Sequence, residues 1–408
     1  MPPTIIRVDL NKPAEDQPTH MHNRWHPDIP PVARVRLGEP FRVECMDWTG
    51  GQIKDNDSAD DIEKLDLNKL HVLSGPISVD GAEPNDFLVV DILDIGTLPD
   101  SEWGFTGIFA KSNGGGFLTN HYPKAAKAIW KFEGRHATSR HIPGVRLNAL
   151  MHPGIVGCAP SMELLKEWNR REGELVSQSP DSVPPLALLP DKTGFLVGSL
   201  KSTEADRIAK EAARTIPPRE HGGNCDIKNL TIGSRLYLPV YVPGANLSVG
   251  DLHFCQGDGE ISFCGAIEMA GYIDLKVSLI KNGVNKYKQK NPMFAMSSSR
   301  LTYGAQLVFE GISVDEDGRQ HYMDANVAYR QACLNAIEYL KTQGYTGEQA
   351  YLLLSAAPIE GHLSGVVDIP NSCCTLSLPL EIFDRDISPK DDVEISCGCP
   401  GNHLKAKN

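Results

Sequence analysis

Glycine and proline, 37 and 29 of the 408 residues, punctuate this chain too densely for an architecture of long helices. What they leave between them reads as strand. Residues 33–37 and 41–45 alternate apolar and polar with period two, and 87–95 is an apolar run of strand length behind a turn-rich connector. Further strands are expected at 234–242, 262–268 and 272–279. Helices are confined to a few windows. Residues 58–69 carry Ile62, Leu65 and Leu67 at helical spacing, 161–171 follow Ser161 as N-cap, and 202–214 form a third. The longest is 322–343, with Ala325, Ala328, Ala332, Ala336 and Leu340 along one side and Gly344 placed to end it. Residues 347–355 follow Thr346 as a cap. Residues 101–160 read as loop-rich, and His152-Pro153-Gly154 as a rigid turn or a pocket wall. The expected class is mainly β, a β-rich α+β fold.

The organisation along the chain divides into an N-terminal arm at 1–30, a β-rich part at 31–215, a catalytic β-rich part at 216–387 and a polar tail at 388–408. The arm carries His20, His22 and His26 and reads as an exposed strap or a loop laid over the body, with a polar pocket or subunit contact as the alternative. The stretch 177–191, with prolines at 180, 184, 185 and 190, is the most linker-like. No internal repeat is evident.

Several function classes fall away. The formal charge is −12 and no basic stripe interleaves with aromatics, which argues against a nucleic-acid partner. No apolar run reaches the ~18 residues of a membrane span. The N-terminus lacks the apolar core of a signal peptide, so the expected location is the cytoplasm. The ten cysteines then read as free thiols. Neither Cys373-Cys374 nor Cys397-Gly398-Cys399 has the spacing of a zinc site. Cys158 and Cys255 read as buried structural thiols before nucleophiles, and Ser297-Ser298-Ser299 as a loop. No Walker loop, dinucleotide fingerprint or nucleophile elbow occurs, so no nucleotide cofactor is expected.

Two segments concentrate unusual residues. One is His221-Gly222-Gly223-Asn224-Cys225-Asp226. The other is Gly250-Asp251-Leu252-His253 running into Gln256-Gly257-Asp258-Gly259-Glu260, with Glu268 beyond. Acids and histidines are seldom buried unless paired or metal-bound. In extended chain Asp251 and His253 share a face, as do Asp258 and Glu260, and the glycines let the backbone turn between the pairs. Such donors suit a divalent cation such as zinc, calcium or magnesium. They suit metal-free acid–base catalysis equally. The plain alternative is a pair of hairpin turns with solvated acids.

The same residues resemble the acetamidase/formamidase family of amidohydrolases. The resemblance rests on Gly75-Pro76 with Gly81-Ala82-Glu83-Pro84, on His221 to Asp226, on Leu238-Pro239-Val240 with Pro243-Gly244-Ala245, and on Gly250 to Glu260, in an order that covers about residues 30–385. The insert near 177–191 and the long termini look like a fungal-type formamidase branch. The resemblance implies a barrel- and sandwich-like β core with flanking helices. It also implies hydrolysis of a short aliphatic amide, foremost formamide to formate and ammonia, by a cytoplasmic homo-oligomer without membrane or nucleic-acid partners.

Amide hydrolysis needs an activated water, a partner for the oxyanion and an acid for the departing nitrogen. A divalent ion on Asp226, His253, Asp258 and Glu260 would supply the first two by lowering the water pKa toward ~7. The catalytic set expected is Asp226, His253, Glu268 and Asp251, with Glu268 or Asp251 carrying the proton. Asn224, Gln256 and His221 are expected to bind substrate. Trp103, Phe117 and Phe254 are the bulky side chains that could exclude larger amides. Two other readings compete: a short-amide binding or sensory protein without catalysis, and a cysteine-dependent amidase.

Overall fold

The computed structural model describes residues 1–17, 20–180, 189–198, 200, 202–297 and 304–389. Most of the linker-like stretch (181–188), most of the triple-serine run and nearly all of the polar tail, with Cys397 and Cys399, lie outside the described residues. The fold is mainly β, as the glycine and proline punctuation requires. Its strands form three sheets. A six-stranded sheet runs in the order Thr4–Ile6, Pro40–Cys45, Gly271–Ile280, Phe87–Thr97, Arg235–Pro239, Met293–Ala295. A twelve-stranded sheet has Leu247–His253 at its heart, flanked by His152–Gly157 on one side and by Phe263–Met269 and Leu73–Val79 on the other. A small third sheet joins Gln306–Ile312, Cys373–Pro379 and Glu360–Gly365, with helix Ala325–Thr342 packed on the first two strands. Leu88, Val90, Ile273 and Leu275 of the six-stranded sheet share one apolar core with Leu247, Val249 and Ile267 of the larger sheet.

The capped helices form where local chemistry directs them. Ser161 accepts from the Leu164 amide and starts Met162–Gln178, which runs seven residues past the expected end at 171. Asp324 accepts from the Asn326 and Val327 amides, so the long helix begins at Ala325 rather than 322. Thr346 and Gln349 form a reciprocal capping box before Gly347–Ala356.

Two expectations need correction. Residues 58–69 do not form a helix; they form one turn, Asp60–Glu63, and a separate 3₁₀ turn, Leu67–Lys69. Asp66 accepts from the Asn68 amide, a local bond that competes with helix propagation. Residues 101–160 are not mainly loop, since they carry the strands Trp103–Ile108, Ala126–Glu133, His136–Ser139, Ile142–Asn148 and His152–Gly157. Their alternation is obscured by a polar group inside: Lys127 is buried against Asp61, Nζ to Oδ2 2.7 Å. Pro153 is tolerated within a strand because the neighbouring strand Gly222–Asn224 pairs only from Ile155 onward.

Part of the arm is threaded into the body. His22 to His26 are buried, and His22 Nε2 lies 2.8 Å from the Ser248 hydroxyl. Among the described residues no helix is long and apolar enough to cross a membrane.

Candidate active site

Strand Leu247–His253 is buried at every position and carries Asp251 and His253. Antiparallel register sets Glu268 opposite His253 on one side and His152 opposite it on the other. Asp226 enters from the loop after Gly222–Asn224, where the Cys225 and Asp226 amides both donate to the Gly154 carbonyl, at 3.0 and 3.3 Å. Glu260 comes from the turn before Phe263–Met269, and its Oε1 accepts from the Gly265 amide at 3.1 Å. The two glycine-punctuated segments therefore meet.

The meeting is built against backbone preference. Asp226, Asp251 and Glu260 have φ of 46°, 55° and 44°. Left-handed conformations at non-glycine residues cost on the order of 1–3 kcal/mol each and persist where the surroundings impose them. Three acids of one cluster share this strain.

Nε2 of His253 lies 3.2 Å from Asp251 Oδ1 and 3.0 Å from Glu268 Oε2. Ligand atoms of Asp226, Asp251 and His253 lie within 4.8 Å of one another, and so do those of His253, Glu260 and Glu268. Asp226 Oδ1 and Glu268 Oε2 are buried and accept no hydrogen bond, the contact with His253 Nε2 being one of charge and not of hydrogen-bond geometry. Gly154 borders the same space. A Cβ there would stand 2.5 Å from Asp251 Oδ2, 2.7 Å from Asp226 Oδ1 and 2.8 Å from His253 Cε1.

Four carboxylates around one imidazole cannot all stay ionised in such a place. Burial, then the Glu260 and Asp251 charges, pushes the Asp226 carboxyl well above the usual carboxylate range. Burial likewise raises Glu260, and raises Glu268 strongly, against the pull of His253. Burial also opposes ionisation of Asp251, but the His253 charge and hydrogen bond outweigh it and hold this carboxyl below its ordinary value. Burial alone would depress His253; Glu268 and Asp251 reverse that and raise it well above an ordinary histidine. Burial drives His152 down to about 4, so its ring is neutral.

Of the other expected site residues, only Gln256 joins the cluster. The Asp258 carboxylate lies outside the cluster, 2.8 Å from Lys228 Nζ and 2.9 Å from the Gly361 amide, because the turn at Gly259 separates it from Glu260. His221 binds the Cys158 carbonyl through Nδ1 at 2.6 Å and sits between Trp25 and Trp168, with burial lowering it to about 3. Asn224 donates to the Ile216 carbonyl at 3.0 Å, leaving Oδ1 buried without a partner. Gln256 is inside, 2.8 Å from His152 Nε2 and 3.0 Å from His253 Nδ1. Phe254 stacks on Phe132 in the core, Phe117 packs near Tyr329 and Trp103 near Phe105. Burial pushes the Cys225 and Cys255 thiols up to about 12, and raises Cys158 further.

Two contributors escaped the sequence reading. His71 is buried 5.0 Å from the Trp48 ring, and its charge helps lower Asp251. Lys228 neutralises Asp258. Gly154, in the triplet read as a rigid turn or a pocket wall, supplies clearance, and cross-strand register gives it its position.

The model of the acetamidase/formamidase family matches residues 7–385. A formamidase of Methylophilus methylotrophus is 62% identical over 389 residues, 95% of this chain and 96% of that one. An acetamidase of Mycolicibacterium smegmatis is 57% identical over 370 residues, 88% of this chain and 91% of that one. The solved structure of a gamma lactamase from Delftia acidovorans superposes with a TM-score of 0.91 at 58% identity, covering 95% of each chain.

Proposed function

The chain belongs to the acetamidase/formamidase family and is an amidase, and from that premise we propose that it hydrolyses formamide to formate and ammonia in the cluster around His253. The observation that carries the proposal is the convergence of Asp226, Asp251, Glu260 and Glu268 on that one buried imidazole. The family relationship supports hydrolysis of a short amide, and the formamidase at 62% identity favours formamide within that class.

Acid and base roles follow from the opposed shifts. Neighbouring carboxyls whose environments drive their pKa values apart divide the two tasks. Asp251, held ionised by His253, is the proton acceptor for the attacking water. Glu268, whose carboxyl burial raises well above its ordinary range, returns a proton to the departing nitrogen. His253 sits between them and holds both carboxyls in place through Nε2.

The residues also fit a divalent cation. Oxygen and imidazole donors converge, two of the buried oxygens lack any hydrogen-bond donor, and the excess of acids calls for positive charge. Asp226, Asp251 and His253 would hold it, or His253 with Glu260 and Glu268. Such an ion would polarise the amide carbonyl and make water at the site more acidic. Self-association in the cytoplasm belongs to the same proposal and rests on the family likeness.

Ammonia release from formamide, acetamide and propionamide, and ring opening of a five-membered lactam, tests the substrate. The lactam is included because the gamma lactamase is 58% identical. The expected order has formamide first in kcat/KM. A lactam turned over faster than every linear amide replaces the formamide proposal with a cyclic-amide one.

A further inference from the structure

We infer that Gln256 is a positioning residue, which ties the 221–226 segment to His253 and decides which imidazole nitrogen faces the acids. The inference deepens the cluster reading above and assigns Gln256 away from substrate binding.

The side chain is 1% exposed and all its polar contacts are internal. Its Nε2 donates to the Asp226 carbonyl at 2.7 Å. That bond fixes the amide orientation, so Oε1 faces the histidines, 3.0 Å from His253 Nδ1 and 2.8 Å from His152 Nε2. His152 is committed at its other nitrogen, because the Leu150 carbonyl 2.6 Å from Nδ1 can only accept. Gln256 Oε1 can only accept, so His253 Nδ1, which also lies 3.2 Å from His152 Nε2, presents a hydrogen to that oxygen. That same oxygen lies against His152 Nε2, and it accepts from His253 whatever the state of His152. Either way His253 Nδ1 carries a hydrogen, and Nε2 is the nitrogen turned toward Asp251 and Glu268.

The second arm acts on Asp226. Its backbone is left-handed, φ 46°, and its carbonyl is held by Gln256 while its amide is held by the Gly154 carbonyl at 3.3 Å. One buried amide thus clamps both segments of the site. A partner that orients a ligating or catalytic imidazole in this way is worth about 10–100-fold in cation affinity or activity.

The test uses the full-length protein with Gln256→Leu and the isosteric Gln256→Glu. Formamide kinetics and Zn²⁺ affinity by equilibrium dialysis are measured on each. For Gln256→Leu the expected result is kcat lower by about 10–100-fold, KM within about threefold of the parent, and Zn²⁺ bound about 10–100-fold more weakly. A KM raised tenfold with kcat and Zn²⁺ affinity unchanged makes Gln256 a substrate contact and overturns the inference. No change in any of the three overturns it as well. If Gln256→Leu loses cooperative unfolding, Gln256→Glu decides. It keeps an acceptor for His253 but cannot donate to the Asp226 carbonyl, so a kcat equal to the parent's overturns the clamp. A parent protein that binds no Zn²⁺ refutes the cation reading and leaves the kinetic arm to decide. One that cleaves no amide refutes the formamide proposal and leaves the Zn²⁺ arm.

Discussion

His253 and Glu268 face each other across adjacent antiparallel strands, with Nε2 3.0 Å from Oε2 and both side chains buried. Glu268→Gln keeps the shape and removes the transferable proton. The expected outcome is a kcat about 10²–10⁴-fold lower with KM for formamide within threefold. Steady-state kinetics checks it, and a kcat within threefold of the parent takes the proton-donor role from Glu268.

Gly154→Ala places a methyl 2.5 Å from Asp251 Oδ2 and 2.7 Å from Asp226 Oδ1. The backbone there is ordinary strand, so the conflict is steric and local. Overpacking of this kind costs about 1–3 kcal/mol. A folded protein with a lower Tm and at least hundredfold less activity is expected. Thermal unfolding beside an activity assay distinguishes this from global collapse.

Stability and pH are linked through the acid cluster. Asp226, Glu260 and Glu268 have carboxyls raised in the folded state. Each therefore contributes fully below its unfolded pKa of about 4 and loses that contribution as pH rises through its raised value. His253, raised above about 6.5, likewise contributes at low pH and loses as pH rises through its folded pKa. Asp251, lowered, works the other way and loses its contribution only as pH falls below about 4. The cation-free protein should thus lose stability as pH rises above about 4. A divalent ion takes the place of these protons, and a hundredfold excess over Kd adds about 2.7 kcal/mol. Tm measured in EDTA and in Zn²⁺ should diverge as pH rises. A constant gap across the range argues against a cation in this cluster.

Cysteine chemistry is not expected to contribute. Burial holds the Cys255 thiol near 12 and raises Cys158 beyond that. Cys255→Ser and Cys158→Ser should each keep kcat/KM within about threefold, and iodoacetamide should not inactivate the parent protein. Loss of activity in either variant with an unchanged Tm would reinstate the thiol mechanism.

Much of the fold could be read from spacing alone. Strand Phe87–Thr97, helix Ala325–Thr342 and the caps at Ser161 and Thr346 are written in local pattern and side-chain chemistry. Strand Ala126–Glu133 was hidden because Lys127 breaks its alternation, and only the distant Asp61 and Asn56 and the Lys54 carbonyl make that lysine a tolerable interior residue. The site divides the same way. Asp251, His253, Glu260 and Glu268 stand out as chemistry-bearing residues between glycines. That Glu260 turns inward while Asp258 turns toward Lys228 depends on a left-handed Gly259, φ 90°, and on a lysine thirty residues upstream. His71 bears on Asp251 from the segment that leads into the neighbouring strand Leu73–Val79, far away in sequence. Such convergence is a property of register and topology, which local pattern does not carry.

The strand Leu247–His253 is hemmed by neighbours on both sides and has no exposed residue. The reaction chamber proposed around His253 and the spine of the molecule are thus one stretch of backbone. An enzyme laid out this way cannot breathe at its catalytic floor to admit a larger guest, so any broadening of its diet has to come from remodelling the rim. Drift that loosens the spine would silence the chemistry before it threatens the fold, and variants that survive selection for activity are thereby screened for a rigid interior.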